Sequence, residues 1–199
     1  APELIIPSGV PVTYPAGSAA SLALQTVNTM ISHCGYSRMN SVRDLTHAAQ
    51  GHMDYIAANG FHYSHLQESG KPGFTGATHV ERIVAAGGGA ERANHASEGV
   101  GGMGGSHGRV TTGLLAAPYH QADLLSQWSE IGIGTAQDPD RALLDPSVTA
   151  ESVVFNYGGT KLNSVPLNDV RTFPCEGSTL IPSQGGPETP DPAPELAGK

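Results

Sequence analysis

At 199 residues, with a formal net charge of −8 and no run of lysine or arginine, the chain argues against a nucleic-acid-binding surface, which needs clustered basic side chains. A charged fraction of 14%, with 26 glycines and 15 prolines, makes much of it loop around one domain-sized core. No apolar stretch approaches the roughly 18 residues of a membrane-crossing helix.

In chain order, residues 1–17 (APELIIPSGVPVTYPAG) carry prolines and no periodicity, and read as an extended arm. Ser18 stands as an N-cap for a first helix. Ala20, Ala23, Leu24, Val27, Met30, Ile31 and Cys34 share one face of it before Gly35 ends it. That stripe is core. A second helix of roughly 18 residues, about 27 Å long, is predicted from Ser41, with Asp44 forming a weak capping box. Its buried face is Val42, Leu45, Ala49, His52, Met53 and Ile56, and Asn59-Gly60 ends it. It delivers Phe61-His62-Tyr63-Ser64-His65 onto a loop or short strand, two histidines and two aromatics grouped as in a site.

Leu66 to Gly76 reads as a loop. Thr78 and Glu81 form a capping box that opens a short helix through Ile83 and Val84 to Gly87. Residues 87–108 are rich in glycine with almost no apolar bulk, and read as a surface loop. A short helix over Val110–Ala117 precedes Pro118, whose ring prevents simple continuation. Glu130–Thr135 and Ser152–Tyr157 have strand composition, and Val165–Phe173 is a third strand candidate. Residues 175–199 are rich in proline and glycine, a tail or linker with little to bury. Cys34 and Cys175 fit a single bridge worth about 3–5 kcal/mol, although two distant cysteines do not by themselves establish pairing.

Three pieces in order carry a resemblance to a known family. They are Ala48-Ala49-Gln50-Gly51-His52-Met53-Asp54-Tyr55 running on to Ser64-His65; Ser97-Glu98-Gly99-Val100; and Pro118-Tyr119-His120-Gln121-Ala122 followed by Glu130-Ile131-Gly132-Ile133-Gly134. Together they resemble the bacterial, SCP-like form of the CAP family, the cysteine-rich secretory, antigen 5 and pathogenesis-related 1 proteins. The motifs span about residues 18 to 158, so the domain is placed at 18–174. The resemblance implies an α+β fold, a three-layer α-β-α sandwich, with a central cleft. It implies a secreted or otherwise extracytoplasmic protein, and Ala1, with neither methionine nor apolar leader, fits one whose signal peptide is gone.

Carried over by position, the cleft residues are His65, Glu98 and His120, with Tyr63 and Tyr119 at the rim. Two neutral imidazoles and a carboxylate are the ligand set of an open zinc site. Without metal, the same groups bind a polar head group or move a proton near the imidazole pKa of about 6.5. The chain departs from the family at Gly99, where asparagine is usual, and in the helix Val110–Leu115, which lacks the second glutamate of the eukaryotic pattern. His47 and His52 lie about 140° apart around one helix and are assigned no role. His95 and His107 belong to the glycine-rich stretch.

Two motifs fail their context. Gly99 to Gly104 spells a dinucleotide fingerprint and Gly104 to Gly108 a nucleophile elbow, but neither follows an apolar strand. The leading functional reading is a binding module for an unidentified small or lipid-like ligand, a hydrophobic one lying beside Leu114 and Leu115, or for a divalent metal such as Zn2+. The alternatives are a metal-dependent, peptidase-like hydrolase with Glu98 as general base, and an extracellular protein-interaction domain with a vestigial cleft.

Overall fold

The structure is a computed structural model that describes residues 8–102, 107–126, 128–139, 151–159 and 170–178. Its elements are α1 (Ala19–His33), β1 (Asn40–Ser41), α2 (Arg43–Ala58), α3 (His79–Ala85), α4 (Gly89–Asn94), β2 (Ser97–Gly102), α5 (His107–Ala116), α6 (Pro118–Leu124), β3 (Glu130–Gln137) and β4 (Glu151–Gly158). The four strands form one sheet in the order β1-β3-β4-β2. β1 runs parallel to β3, and the other pairs are antiparallel. The class is therefore α+β.

Alternation along the strands sets which helix lies on which face. Ile131 pairs with Tyr157 and Ile133 with Phe155, and these four share a core with Val27 and Ile31 of α1, Leu114 and Leu115 of α5, and Leu124 of α6. The opposite face carries Gly132, Gly134 and Asn156, and α2 packs there. A Cβ on either glycine would overlap the main chain of Leu45 or Ala49, so α2 rests directly on sheet backbone. Asn156 donates to the Leu45 carbonyl at 3.5 Å from the same face.

Both long helices form where the apolar spacing predicts them. The Ser18 hydroxyl caps α1 by accepting from the Ser21 N–H at 3.2 Å, and Gly35 follows it at φ +79°. The capping box at Ser41 does not form. Val42 is the N-cap of α2 and makes no side-chain cap. The Ser41 hydroxyl donates to the Val12 carbonyl at 2.6 Å, and Asp44 is taken by Arg92, whose Nε donates to it at 2.6 Å. The same guanidinium holds Glu130 at 2.6 Å, so one cation serves two carboxylates where α2, α4 and β3 meet. Thr78 does cap α3, accepting from the Glu81 N–H at 3.3 Å, while Glu81 reaches back to the Ala77 N–H.

The glycine-rich stretch is not the loop its composition suggests. Its described part holds α4 and the edge strand β2. The glycines of β2 admit neighbours rather than turns: a Cβ on Gly101 would press on Val110 and Leu114 at 3.1 Å, and one on Gly102 would overlap Tyr63. Pro118 also does more than end a helix. It occupies the first turn of α6, where its missing N–H costs nothing. Of the third strand expected over 165–173, the described part, Val170–Phe173, is in no strand, and the rest lies outside the described residues.

Two tethers fix the ends of this unit. Cys34, the C-cap of α1, is bonded to Cys175 across 141 residues of sequence. Residues 9–14 run beside β1: Val12 N–H donates to the Ser41 carbonyl at 3.0 Å, and Arg43 N–H to the Val10 carbonyl at 2.8 Å. Gly9 N–H donates to Glu130 at 2.9 Å, and the Tyr14 hydroxyl accepts from Ile133 N–H at 2.9 Å.

The contact between α2 and the sheet yields a direct test. Gly132→Ala forces α2 off the sheet and is expected to cost about 3 kcal/mol or more, read as a lower midpoint in urea. Gly17→Ala, at a position with open space around it but φ +77°, is expected to cost only about 1 kcal/mol.

Candidate functional site

The three histidine and glutamate positions meet at the β2 edge. Glu98 points from β2 toward the α2 side, with only 1% of its side chain exposed. Arg82 of α3 is fully buried beside it, and Nη2 donates to both carboxylate oxygens at 2.8 Å. Nη2 also donates to the His65 carbonyl at 3.1 Å, and Nη1 donates to the carbonyls of Gly76 at 3.2 Å and Ala77 at 3.3 Å. Arg82 thus pins the segment that carries His65 to the strand that carries Glu98.

His65 Nδ1 lies 3.2 Å from Glu98 Oε1. A carboxylate only accepts, so Nδ1 carries the proton and Nε2 keeps its lone pair when the ring is neutral. The side chain is 53% exposed. His120, half-buried on α6, comes from the other side of the edge strand, and its ring stacks near His65 with centroids 6.4 Å apart at 26°. The two rings therefore approach each other at the sheet edge, His65 from the side of Glu98 and His120 from the opposite face.

Behind Glu98 sits His52, to which the sequence assigns no role. It is buried on α2; its Nε2–H donates to the Ser64 carbonyl at 2.8 Å, and its Nδ1 accepts from Gln67 at 3.0 Å. Gln67 is itself held by the Thr75 N–H at 2.8 Å. Those two bonds fit a neutral ring, so the 3.7 Å approach of His52 Nε2 to Glu98 is a polar contact and not an ion pair. Burial lowers the His52 pKa, Arg82 and His65 add to that, and Glu98 opposes it only in part. For Glu98, burial pushes the carboxyl up, but the His65 hydrogen bond and the Arg82 charge outweigh it and hold the pKa below the ordinary value.

The two tyrosines divide. Tyr119 is 48% exposed on α6, beside His120. Tyr63 packs with the Met53 and Ile56 cluster over the far end of β2, and its hydroxyl donates to Asp138 at 3.4 Å. His95 is exposed at the end of α4, and the side chain of His107 lies outside the described residues. Leu114 and Leu115 belong to the core between α5 and the sheet. Sequence reasoning missed Arg82, His52 and Gln67; the available signal was a basic residue and a histidine placed on apolar helical stripes.

Among the described residues, no group of three or more His, Cys, Asp or Glu side chains is arranged to hold a metal ion. A groove of about 660 Å³ lies between residues 8–14 and α1, lined by Val12, Leu24, Asn28 and Met39 among others and by none of His65, Glu98 and His120. Among the described residues no helix is long and apolar enough to cross a membrane.

This arrangement of helices around a mixed sheet is an SCP-like, or CAP-like, fold. Among solved structures, an extracellular protein containing an SCP domain from Bacillus anthracis str. Ames is similar at TM-score 0.52 and 18% identity, over 71% of this chain and 40% of that one. An outer surface protein of Borrelia burgdorferi is similar at TM-score 0.56 and 15% identity, over 76% of this chain and 100% of that one. The chain spans less than half the length of the Bacillus protein. No protein-family model matches the chain, and no curated protein matches it by sequence.

Two measurements probe the buried cluster. Arg82→Met strands the Glu98 charge and is expected to cost about 3–5 kcal/mol near neutral pH, seen in urea unfolding. His52, whose folded pKa lies below 6.5, takes up its proton more readily when unfolded. Stability is therefore expected to fall as pH drops below about 6.5, with Glu98 adding the same sign at lower pH. Thermal unfolding from neutral pH down to about pH 5 should show a shallower decline in His52→Gln.

Proposed function

We propose that the chain is an extracytoplasmic SCP-like binding domain whose cleft holds a small polar ligand between His65 and His120. The compartment is supported by the extracellular and outer-surface character of the two similar structures and by the Cys34–Cys175 bridge, a bond of oxidising environments. The helices on both sides of the sheet support a three-layer α-β-α arrangement around it.

The observation that carries the reading is a difference in exposure. Glu98 is 1% exposed and committed to Arg82 and His65, whereas His65 is 53% exposed. Glu98 is then the brace that fixes the tautomer and angle of His65, and the two imidazoles face the ligand, with Tyr119 beside them.

Zinc is the second occupant. Glu98 does not fit as a direct ligand, because both oxygens are held by Arg82; the two imidazoles remain, and a carboxylate behind a histidine is a common metal-site support. Bound zinc would act there as a Lewis acid. The hydrolase reading has less support, since a carboxylate held below its ordinary pKa is a weaker general base. The interaction-domain reading rests on a tail that lies, from residue 179 on, outside the described residues.

Ring ¹⁵N spectra of the full chain, recorded while small polar compounds and then zinc sulfate are titrated in, test the proposal. His65 and His120 are expected to respond together, and His65→Ala to weaken binding about tenfold. If no titrant moves both rings, the cleft reading falls. Micromolar zinc binding by calorimetry, absent from the His65→Ala/His120→Ala double variant, would identify the metal as the occupant.

A further inference from the structure

One buried donor at this edge has no counterpart among the described residues. Tyr157 lies on β4, paired with Ser97 of β2 and Ile131 of β3, and is 0% exposed. Its ring packs near Phe155 in the core, but its hydroxyl has no hydrogen-bond partner among the described residues. A phenylalanine would fill the same core space without burying an unpaired oxygen. Buried hydroxyls ordinarily find partners, so the missing one calls for an explanation.

Position supplies it. The point where a Cβ on Gly99 would stand is 2.8 Å from the Tyr157 hydroxyl and 3.5 Å from Cδ2 of His120. The phenol therefore runs beneath β2 and ends beside the cleft, next to the residue after Glu98 and close to His120. Gly99 belongs to the same device: any side chain there would crowd the hydroxyl, so the residue that departs from the family pattern makes room for Tyr157.

The surrounding charges select what the hydroxyl binds. Burial, then Asp123, then Glu98 push the Tyr157 pKa well up, so the group stays a protonated donor. Asp123 is already bonded by the Ser97 hydroxyl at 2.7 Å. The two carboxylates disfavour an anionic oxygen at this place, and a donor hydrogen disfavours a cation.

We propose that the Tyr157 hydroxyl is the floor contact of the cleft, donating a hydrogen bond to an uncharged carbonyl or hydroxyl oxygen of the ligand. This rests on the cleft reading above and adds a specificity to it: neutral, oxygen-bearing ligands over carboxylates.

The test uses the full chain labelled with ¹³C at tyrosine Cζ, with Tyr157→Phe assigning the resonance, and with the histidine rings followed in the same samples. The probes are acetamide for the carbonyl source, ethylene glycol for the hydroxyl source, and acetate as the anion. Acetamide or ethylene glycol is expected to move Tyr157 Cζ and the His120 ring with the same saturation, and acetate to move neither. Tyr157→Phe is expected to keep or raise the Tm while weakening the bound probe about fivefold.

Response of His65 and His120 with Tyr157 unmoved would overturn this inference and leave the cleft reading standing. Equal response to acetate would overturn the neutral-oxygen assignment. A Tm lowered by several degrees in Tyr157→Phe would assign the hydroxyl a structural partner and overturn it as well. Silence of all three rings toward both neutral probes overturns the assignment, while the wider panel and zinc judge the cleft separately.

Discussion

A carboxylate with 1% of its side chain exposed does not stay ionised unaided, and Glu98 is held in its charged form by the His65 hydrogen bond and by Arg82 buried against it. The pair does more than cancel charge. Its guanidinium also gathers the carbonyls of His65, Gly76 and Ala77, so the loop after α2, the start of α3 and the edge strand β2 are tied at one point. The orientation of His65 follows from the charge on Glu98, and the neutrality of His52 follows in part from the charge on Arg82. His65 is the exposed face of a buried electrostatic arrangement.

The other buried cation, Arg92, plays a different part. Held between Asp44 and Glu130, it joins α2 to β3 and the arm. Comparison of the two separates brace from site: similar chemistry, but the Arg82 cluster carries a half-exposed histidine, His65.

Periodicity made α1, α2, β3 and β4 legible, because each buries one side against the core and the spacing of Val27, Ile31, Leu45 and Ile56, or of Ile131 and Ile133, records that. It failed where glycine replaced the pattern. In β2, Gly99, Gly101 and Gly102 are selected by neighbours that come from Tyr157, Leu114 and Tyr63, far away in sequence, so composition reads as loop. The Ser41–Asp44 capping box was lost to partners of the same kind, Val12 and Arg92. His65, Glu98 and His120 were marked by short motifs and do converge. Arg82 and His52 were not, since a charge on an apolar stripe gives no sign in one dimension of what neutralises it.

The segment before α1 looks dispensable by composition, yet residues 9–14 close one side of the sheet. In the order β1-β3-β4-β2, β1 is an edge, and Val10, Pro11 and Val12 bond along its open side. An uncovered edge is a template for pairing with another molecule. Removal of these residues would thus take Tyr14 from the core and bare the open side of β1 to pairing with another molecule.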